Sequence, residues 1–131
     1  VLESLRLYPP AWVIERSARE DDVVGGFRIP AGALIMLPAY VVHRHPDVWP
    51  EPERFDPERF LNEKPGNDRF APFGVDHHQC PMGSPVVRMG IIFVRALACG
   101  YRVTALTEGP PVRGGYHWEP APGFAVKLEP R

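Results

Sequence analysis

Short apolar segments alternate with proline and glycine along the chain, and their spacing predicts small helices and strands. The opening segment, VLESLRL, carries Leu2, Leu5 and Leu7 and predicts a helix. This helix must end by Pro9, because proline lacks an N–H and disfavours helix in the residue before it. The segments AWVIERSA and GFRIPAGALIML are rich in β-branched and apolar residues and predict strands, the second interrupted by a Pro-Ala-Gly turn. After them, AYVVHRHPDVW predicts a short helix.

The second half of the chain begins with PEPERFDPERF, which has too much proline for a regular helix or strand, so we expect an irregular path from there to Gly83. The run SPVVRMGIIFVRALAC then has helical spacing, with Pro85 tolerated in the first turn and Gly100 suited to close the helix in a left-handed conformation. One side of this helix is apolar and carries Val87, Ile91, Val94 and Ala98. The segments YRVTAL and GFAVKL alternate and predict two strands joined by a loop rich in glycine and proline.

Composition narrows the class of protein. The chain has 131 residues, enough for one ordinary domain, and 44% of them are hydrophobic, which argues against disorder. Its 17 prolines are well over twice the usual share of about 5% and argue against a helical bundle. A formal net charge of -1, with acidic and basic residues interleaved, gives no reason to expect nucleic acid or an anionic membrane as a partner. The longest uncharged apolar stretch, IPAGALIMLPAYVV, is too short and too broken by proline to cross a bilayer.

The chain has two cysteines, Cys80 and Cys99. Most residues between them are predicted to be helical, and about 15 helical residues hold their ends roughly 20 Å apart. A disulfide needs Cα atoms within about 7 Å, so we expect two separate thiols and an intracellular chain. Cys99, near the end of the apolar helix, is predicted to be a small core residue.

Cys80 lies in the polar loop FAPFGVDHHQCPMG, directly before the predicted helix. Its thiol has three competing roles: an ordinary buried cysteine, a zinc ligand, or a thiolate reserved for a larger cofactor. Zinc would need Cys80 with three of His43, His45, His77 and His78, yet structural zinc usually recruits two close pairs and this loop has a single cysteine. His43 and His45 are better explained as residues that cap or border the short helix.

An anionic sulfur at Cys80 would need a metal cation or hydrogen-bond donors pointed at it, because a free thiol has a pKa of about 8.5. The loop can supply backbone N–H groups, and the following helix directs its partially positive N-terminus toward the same place. A nucleophilic cysteine would also need a base and an oxyanion site, and apart from the histidines the sequence offers neither.

Glu3 and Arg6 share one face of the first predicted helix, and alone they would form a solvated ion pair of little weight. Arg59, in FDPERF, lies in a rigid proline-framed turn from which a second guanidinium can reach the same carboxylate. One glutamate between two arginines would form a bidentate cluster that fixes the orientation of two distant segments.

The order of these features, over essentially all 131 residues, resembles the C-terminal third of a cytochrome P-450, the haem-thiolate monooxygenase superfamily. ESLR matches the family's E-x-x-R, PERF carries the third member of its Glu/Arg cluster, and FGVDHHQC matches its haem-binding loop. The resemblance implies an α+β fold class, mainly α in the full protein. Residues 1–131 would be the C-terminal fragment of a single domain: the E-x-x-R helix, a small β-sheet, the cysteine loop, the proximal helix and the C-terminal strands.

The resemblance also implies roles for individual residues. Cys80 would be the axial thiolate ligand of the iron in haem b. Phe73 would shield the sulfur, and Gly74 would let the backbone pass the porphyrin. His78 and Arg16 would each pair with a haem propionate, while the Glu/Arg cluster would be structural and buttress the loop.

Three residues depart from the family's pattern. Asp76 and Met82 stand where glycine is usual, and Met89 stands where glutamate is common. Met82 adds bulk where the start of the helix normally packs under the macrocycle. We therefore expect a displaced helix, a close approach at Gly83 instead, or altered chemistry.

The function implied by the resemblance is insertion of one oxygen atom of O2 into a small organic substrate, in the cytoplasm, with electrons from a ferredoxin or a flavoprotein reductase. Arg88 and Arg95 would present a basic patch to that donor. Substrate contacts in this part of the fold would come from Trp12, Val13 and Phe124. A peroxide-using or isomerising haem-thiolate enzyme and a non-catalytic truncated module are the alternatives. Because the chain holds one wall of a haem pocket, in isolation it is expected to bind haem weakly or not at all.

Overall fold

The computed structural model describes residues 1–61, 65–107, 109 and 111–131. In these residues the elements follow in the order α1 (Leu2–Leu7), β1 (Ile14–Ser17), β2 (Asp22–Val24), β3 (Phe27–Ile29), β4 (Leu34–Leu37), α2 (Ala39–Val42), a 3₁₀ turn (Pro57–Phe60), a second 3₁₀ turn (Asp76–His78), α3 (Gly83–Gly100), β5 (Tyr101–Ala105), β6 (Val112–Gly114), β7 (His117–Glu119) and β8 (Val126–Pro130). The strands form antiparallel pairs, β1 with β4, β2 with β3, β5 with β8 and β6 with β7.

The main predicted elements are confirmed. α1 ends at Leu7, directly before the residues whose backbone the two prolines constrain. β1 and β4 pair with Ile14 opposite Leu37, and the predicted turn before β4 is closed by the Ala33 N–H, which donates to the Pro30 carbonyl at 3.0 Å. The two predicted C-terminal strands, β5 and β8, also pair, because their alternating residues fit one antiparallel ladder.

Two expectations at the end of α3 are wrong. Gly100 does not close the helix in a left-handed conformation; α3 runs through Gly100 and the chain enters β5 at Tyr101, with φ -139° and ψ 149°. A left-handed residue is unnecessary because the chain continues directly as a strand instead of reversing. Cys99 is exposed rather than part of the core.

Other differences concern elements that the sequence pattern did not predict. PERF forms a 3₁₀ turn despite its proline, because the Asp56 side chain accepts from the Glu58 N–H at 3.1 Å and Pro57 suits the first helical position. β2, β6 and β7 are three residues long, too short for two-residue alternation to be recognised.

The buried core is small and lies around α1. It combines the apolar residues Leu7, Val13, Ala39 and Trp49 with buried polar side chains of Glu3, Arg6 and His43. Burial of charged and polar groups is costly unless they are paired and hydrogen-bonded, so the partners of these three side chains decide whether the core is stable.

The helix α3 is largely exposed, although it is apolar. It has 18 residues and a mean hydropathy of 1.3. By length and composition it could cross a membrane, and among the described residues it is the one helix that meets both criteria. The longest uncharged apolar stretch of the sequence, IPAGALIMLPAYVV, does not form one helix; it includes β4 and α2. The same two criteria are met by core helices of soluble proteins, and α3 also carries Arg88 and Arg95.

Candidate functional site

A buried cluster of Glu3, Arg6 and Arg59 joins α1 to the first 3₁₀ turn. The Nε and Nη2 of Arg6 donate to the two carboxylate oxygens of Glu3, both at 2.7 Å, and both side chains are fully buried. The Nε of Arg59 lies 3.5 Å from Glu3 Oε1, and the Asp56 N–H donates to the same oxygen at 2.9 Å. The Glu3–Arg6 pair is therefore not the solvated pair that it would be in isolation, because the carboxylate lies between two guanidinium groups.

The remaining donors of Arg6 hold a distant part of the chain. Its Nη1 donates to the carbonyls of His43 at 2.8 Å and Pro52 at 2.7 Å, and its Nη2 donates to the Arg54 carbonyl at 3.2 Å. Since a guanidinium offers its donors in a rigid fork, these bonds fix the segment from position 43 to position 54 against α1.

His43, at the C-terminal end of α2, links this cluster to the segment that leads to Cys80. Its Nδ1 lies 3.2 Å from the Arg6 carbonyl, and its Nε2 accepts from the Ala71 N–H at 3.0 Å. The proton of the neutral ring is therefore on Nδ1. Burial lowers the pKa of His43 from 6.5 to about 4; the hydrogen bond to the Arg6 carbonyl opposes this shift, and the charges of Arg6 and Arg44 reinforce it.

The loop around Cys80 is closed by its own backbone. The Cys80 N–H donates to the Phe73 carbonyl at 2.9 Å, and the Gly83 N–H donates to the Cys80 carbonyl at 3.1 Å. Gly74 has φ +85°, a left-handed conformation that glycine adopts readily, and Asp76 has φ 55° in the same region. Aspartate tolerates this conformation better than most residues do.

Gly83, the first residue of α3, permits a close approach of the Phe73 ring. A Cβ at this position would lie 2.8 Å from Phe73 Cδ2, inside any normal contact distance. Gly83 thus lies against the aromatic side chain of the loop, while Met82, just before the helix, is about half exposed.

Cys80 is exposed and borders a cavity of about 740 Å³. The cavity lies between α1, the second half of the irregular segment and one face of α3, and it is lined by Leu2, Phe70, Phe73, Ser84, Val87 and Arg88 among others. Among the described residues, no three or more side chains of His, Cys, Asp or Glu are grouped so that they could hold a metal ion.

The two predicted propionate partners lie near the loop without a carboxylate partner among the described residues. Arg16, half-buried in β1, donates to the Glu15 carbonyl at 2.8 Å. Ile14, on the same strand face two residues earlier, brings its Cδ1 within 3.8 Å of the Cβ position of Gly74. His78 is exposed at the end of the second 3₁₀ turn.

The structure does not bring the predicted substrate residues to the cavity beside Cys80. Trp12 donates from Nε1 to the Gly115 carbonyl at 2.7 Å and lines a separate cavity of about 430 Å³. Val13 is buried, and Phe124 lines a third cavity of about 340 Å³. Sequence reasoning also missed the bridging role of His43, which it had assigned only to the border of α2; its H-x-H spacing gave no signal for a contact with Ala71.

Comparison with known proteins identifies the family. The cytochrome P-450 family profile matches residues 1–94. Cyclooctat-9-en-7-ol 5-monooxygenase of Streptomyces melanosporofaciens is 43% identical over 83 residues, which are 61% of this chain and 18% of that protein. Cytochrome P-450 3A25 of Mus musculus is 46% identical over 83 residues, 61% of this chain and 16% of that protein.

Solved structures agree over nearly the whole chain. Retinoic acid bound cyanobacterial CYP120A1 superimposes with a TM-score of 0.84 at 30% identity, covering 99% of this chain and 31% of that one. A zebra fish cytochrome P-450 with progesterone gives a TM-score of 0.83 at 26% identity, covering 99% of this chain and 30% of that one. The predicted fold class is confirmed, and the chain spans about a third or less of the proteins it matches. On the matching profile, the relatives and the shared fold, this chain belongs to the cytochrome P-450 family.

Proposed function

We propose that the full-length protein carrying this chain is a haem-thiolate monooxygenase and that Cys80 is the axial ligand of its haem b iron. The observation that supports this most directly is the position of Cys80 in a closed loop directly before α3, where its N–H donates to the Phe73 carbonyl and its carbonyl accepts from the Gly83 N–H. The relatives include a protein named as a monooxygenase, which supports the reaction class.

The residues around Cys80 fit a large, flat, apolar group. Opposite the face of α3 that borders the cavity, helical spacing aligns an apolar stripe whose members are all at least 42% exposed: Met82, Val86, Met89 and Phe93. An exposed stripe of this kind needs an apolar cover. Residues of the first part of this stripe, Met82 and Met89 among them, would hold the group through apolar contacts.

Two polar side chains of this chain would orient the group. Arg16 and His78 are free of carboxylate partners among the described residues and would each pair with a propionate. Haem with a thiolate ligand supplies the activation of dioxygen, since the anionic sulfur donates electron density to the iron. What the chain itself would contribute is the Cys80 sulfur, an apolar surface on α3 and the side chains of Arg16 and His78.

The substrate is proposed to be a small organic molecule that reacts with O2, and the electron donor a ferredoxin or a flavoprotein reductase. Arg88 and Arg95, seven residues apart and exposed on one side of α3, would offer positive charge to an acidic donor surface.

The test compares substitutions of the two exposed thiols, Cys80 and Cys99, in the full-length protein. After reduction and addition of carbon monoxide, the wild type is expected to give a thiolate-type Soret band. Cys80→Ser should lose this band and all oxygen insertion, because serine does not supply a thiolate. Cys99→Ser, the matched control at the far end of α3, should retain both.

Two outcomes would contradict the proposal. One is a thiolate-type band that survives Cys80→Ser. The other is turnover that consumes hydroperoxide without any reductant and shows no dependence on O2, which would indicate a peroxide-using enzyme.

A further inference from the structure

His43 connects two parts of the protein that are far apart in sequence. Through Nδ1 it contacts the carbonyl of Arg6, the central residue of the Glu/Arg cluster, across 37 positions. Through Nε2 it holds the Ala71 N–H, across 28 positions. Ala71 is two residues before Phe73, whose carbonyl receives the Cys80 N–H. A short series of hydrogen bonds therefore runs from the cluster through His43 to the cysteine loop.

Within the described part of the chain, the ring nitrogens of His43 have no hydrogen-bonding partners besides Arg6 and Ala71. His43 is 0% exposed, and the ring packs against Phe70 with centroids 5.2 Å apart. The charged groups that act on it are Arg6 from α1 and Arg44 from its own segment, both positive; Glu3 pairs with Arg6, and Glu53 pairs with Arg44 at 3.0 Å. A second proton on the ring would thus meet two positive charges and, among the described residues, no unpaired negative charge.

The geometry also specifies which protonation form of the His43 ring can make both hydrogen bonds. The Ala71 N–H is a donor, so Nε2 must keep its lone pair, while the Arg6 carbonyl is an acceptor, so Nδ1 must carry the proton. Protonation of Nε2 would set two N–H groups against each other at 3.0 Å inside the protein. A buried N–H without an acceptor is costly, so the segment around Ala71 would have to move.

We propose that His43, in its neutral form, is a positioning residue that holds the Ala71–Phe73 segment and through it the backbone of Cys80. This inference rests on the proposed function only where it concerns the thiolate; the hydrogen-bond bridge itself does not depend on it. Loss of the Ala71 bond, by substitution or by protonation, releases the loop and lowers the fraction of iron ligated by the sulfur.

The direction of the pH effect follows from the form of the ring. In the unfolded chain the imidazole binds a proton below a pH of about 6.5, whereas in the folded protein it resists protonation until the pH approaches about 4. The unfolded state therefore binds more protons in that window. The stability contributed by the bridge is complete above it and is lost as the pH falls through it.

The experiment separates the two bonds of the ring with two variants of the full-length protein. His43→Gln offers an acceptor near the position of Nε2 and cannot be protonated, and His43→Asn offers a donor near Nδ1 but no acceptor that reaches Ala71. Two readouts are taken between pH 8 and pH 4, a range of about four units that covers the window between the pKa of His43 in the unfolded chain and that in the folded protein. They are hydrogen exchange of the Ala71 amide by mass spectrometry, and the thiolate-type Soret band of the reduced carbon monoxide complex.

The expected results differ for each variant. In His43→Asn, protection of the Ala71 amide falls roughly tenfold at every pH, as expected for one lost buried hydrogen bond, and the thiolate fraction is reduced. In His43→Gln, protection is kept, and the acid loss of the thiolate band moves to lower pH than in the wild type. The wild type loses both signals together as the pH approaches about 4, because His43 of the folded protein resists protonation above that pH.

Equal exchange of the Ala71 amide in the wild type and His43→Asn would overturn the bridge. Identical acid transitions of the wild type and His43→Gln would overturn the role of protonation. Absence of a thiolate band in the wild type at every pH would instead refute the proposed function, and the exchange readout would still decide the role of His43. If His43→Asn fails to fold, the comparison of the wild type with His43→Gln remains decisive.

Discussion

Removing the negative charge of Glu3 should destabilise the protein far more than removing an exposed carboxylate. In Glu3→Gln the side chain keeps its shape, but one carboxylate oxygen becomes an amide that points donors at a guanidinium. Arg6, which is fully buried, and Arg59, whose side chain is 12% exposed, would then lack their counter-charge. Breaking a buried ion pair by removing one partner typically costs about 3–5 kcal/mol.

The chain contains a matched control. Glu129 pairs with Lys127 at 2.9 Å, nearly the distance of the Glu3–Arg6 bonds, but the two side chains are 46% and 57% exposed. Exposed pairs of this kind contribute about 0–1 kcal/mol. Glu129→Gln therefore makes the same chemical change at nearly the same separation and differs in burial.

The assay is urea unfolding of the full-length protein and both variants, followed by a probe of the region around Trp49, over which Arg6 stacks at 5.2 Å. We expect Glu3→Gln to lower the unfolding midpoint strongly with an unchanged dependence on urea, and Glu129→Gln to leave it nearly unchanged. Equal midpoints for the two variants would refute the claim that burial of the cluster, rather than the presence of an ion pair, stabilises this part of the fold.

Three further predictions concern the cysteine loop and the chain as a whole. Gly83→Ala should lower the free energy of unfolding by roughly 1–3 kcal/mol and weaken the thiolate-type band, because its Cβ would lie 2.8 Å from Phe73. Gly100→Ala is the control in a thermal unfolding comparison and should be tolerated, since nothing lies within 4 Å of its Cβ position. Asp76→Gly should raise the thermal midpoint and Asp76→Val should lower it, since φ 55° costs a β-branched residue roughly 1–2 kcal/mol; the same midpoint for both variants would contradict the assigned backbone conformation. The isolated chain, mixed with haem, reduced and exposed to carbon monoxide, should give no stable thiolate-type Soret band. The appearance of such a band would disprove the expectation that the chain by itself binds haem weakly or not at all.

The amino-acid sequence alone determined the elements that depend on local patterning. Leu2, Leu5 and Leu7 with the following prolines define α1, and the apolar spacing after Pro85 defines α3, because the helical period and the geometry of proline act over a few residues. The sequence also singled out Cys80, since a thiol in a glycine-containing loop before a helix is chemically distinctive. The order of ESLR, PERF and the cysteine loop was sufficient to recognise the family.

Tertiary structure alone decided which of these residues act together. Burial turned Glu3 and Arg6 from a weak surface pair into a cluster that also holds the carbonyls of three distant residues. His43 looked like a residue at the end of a short helix, and only the fold placed its ring between Arg6 and Ala71. The end of α3 was mispredicted for the same reason: whether glycine closes a helix depends on where the chain goes next. Hydrogen bonds across roughly 30 to 50 positions leave no period in the sequence, because they depend on how the elements pack and not on how far apart their residues are along the chain.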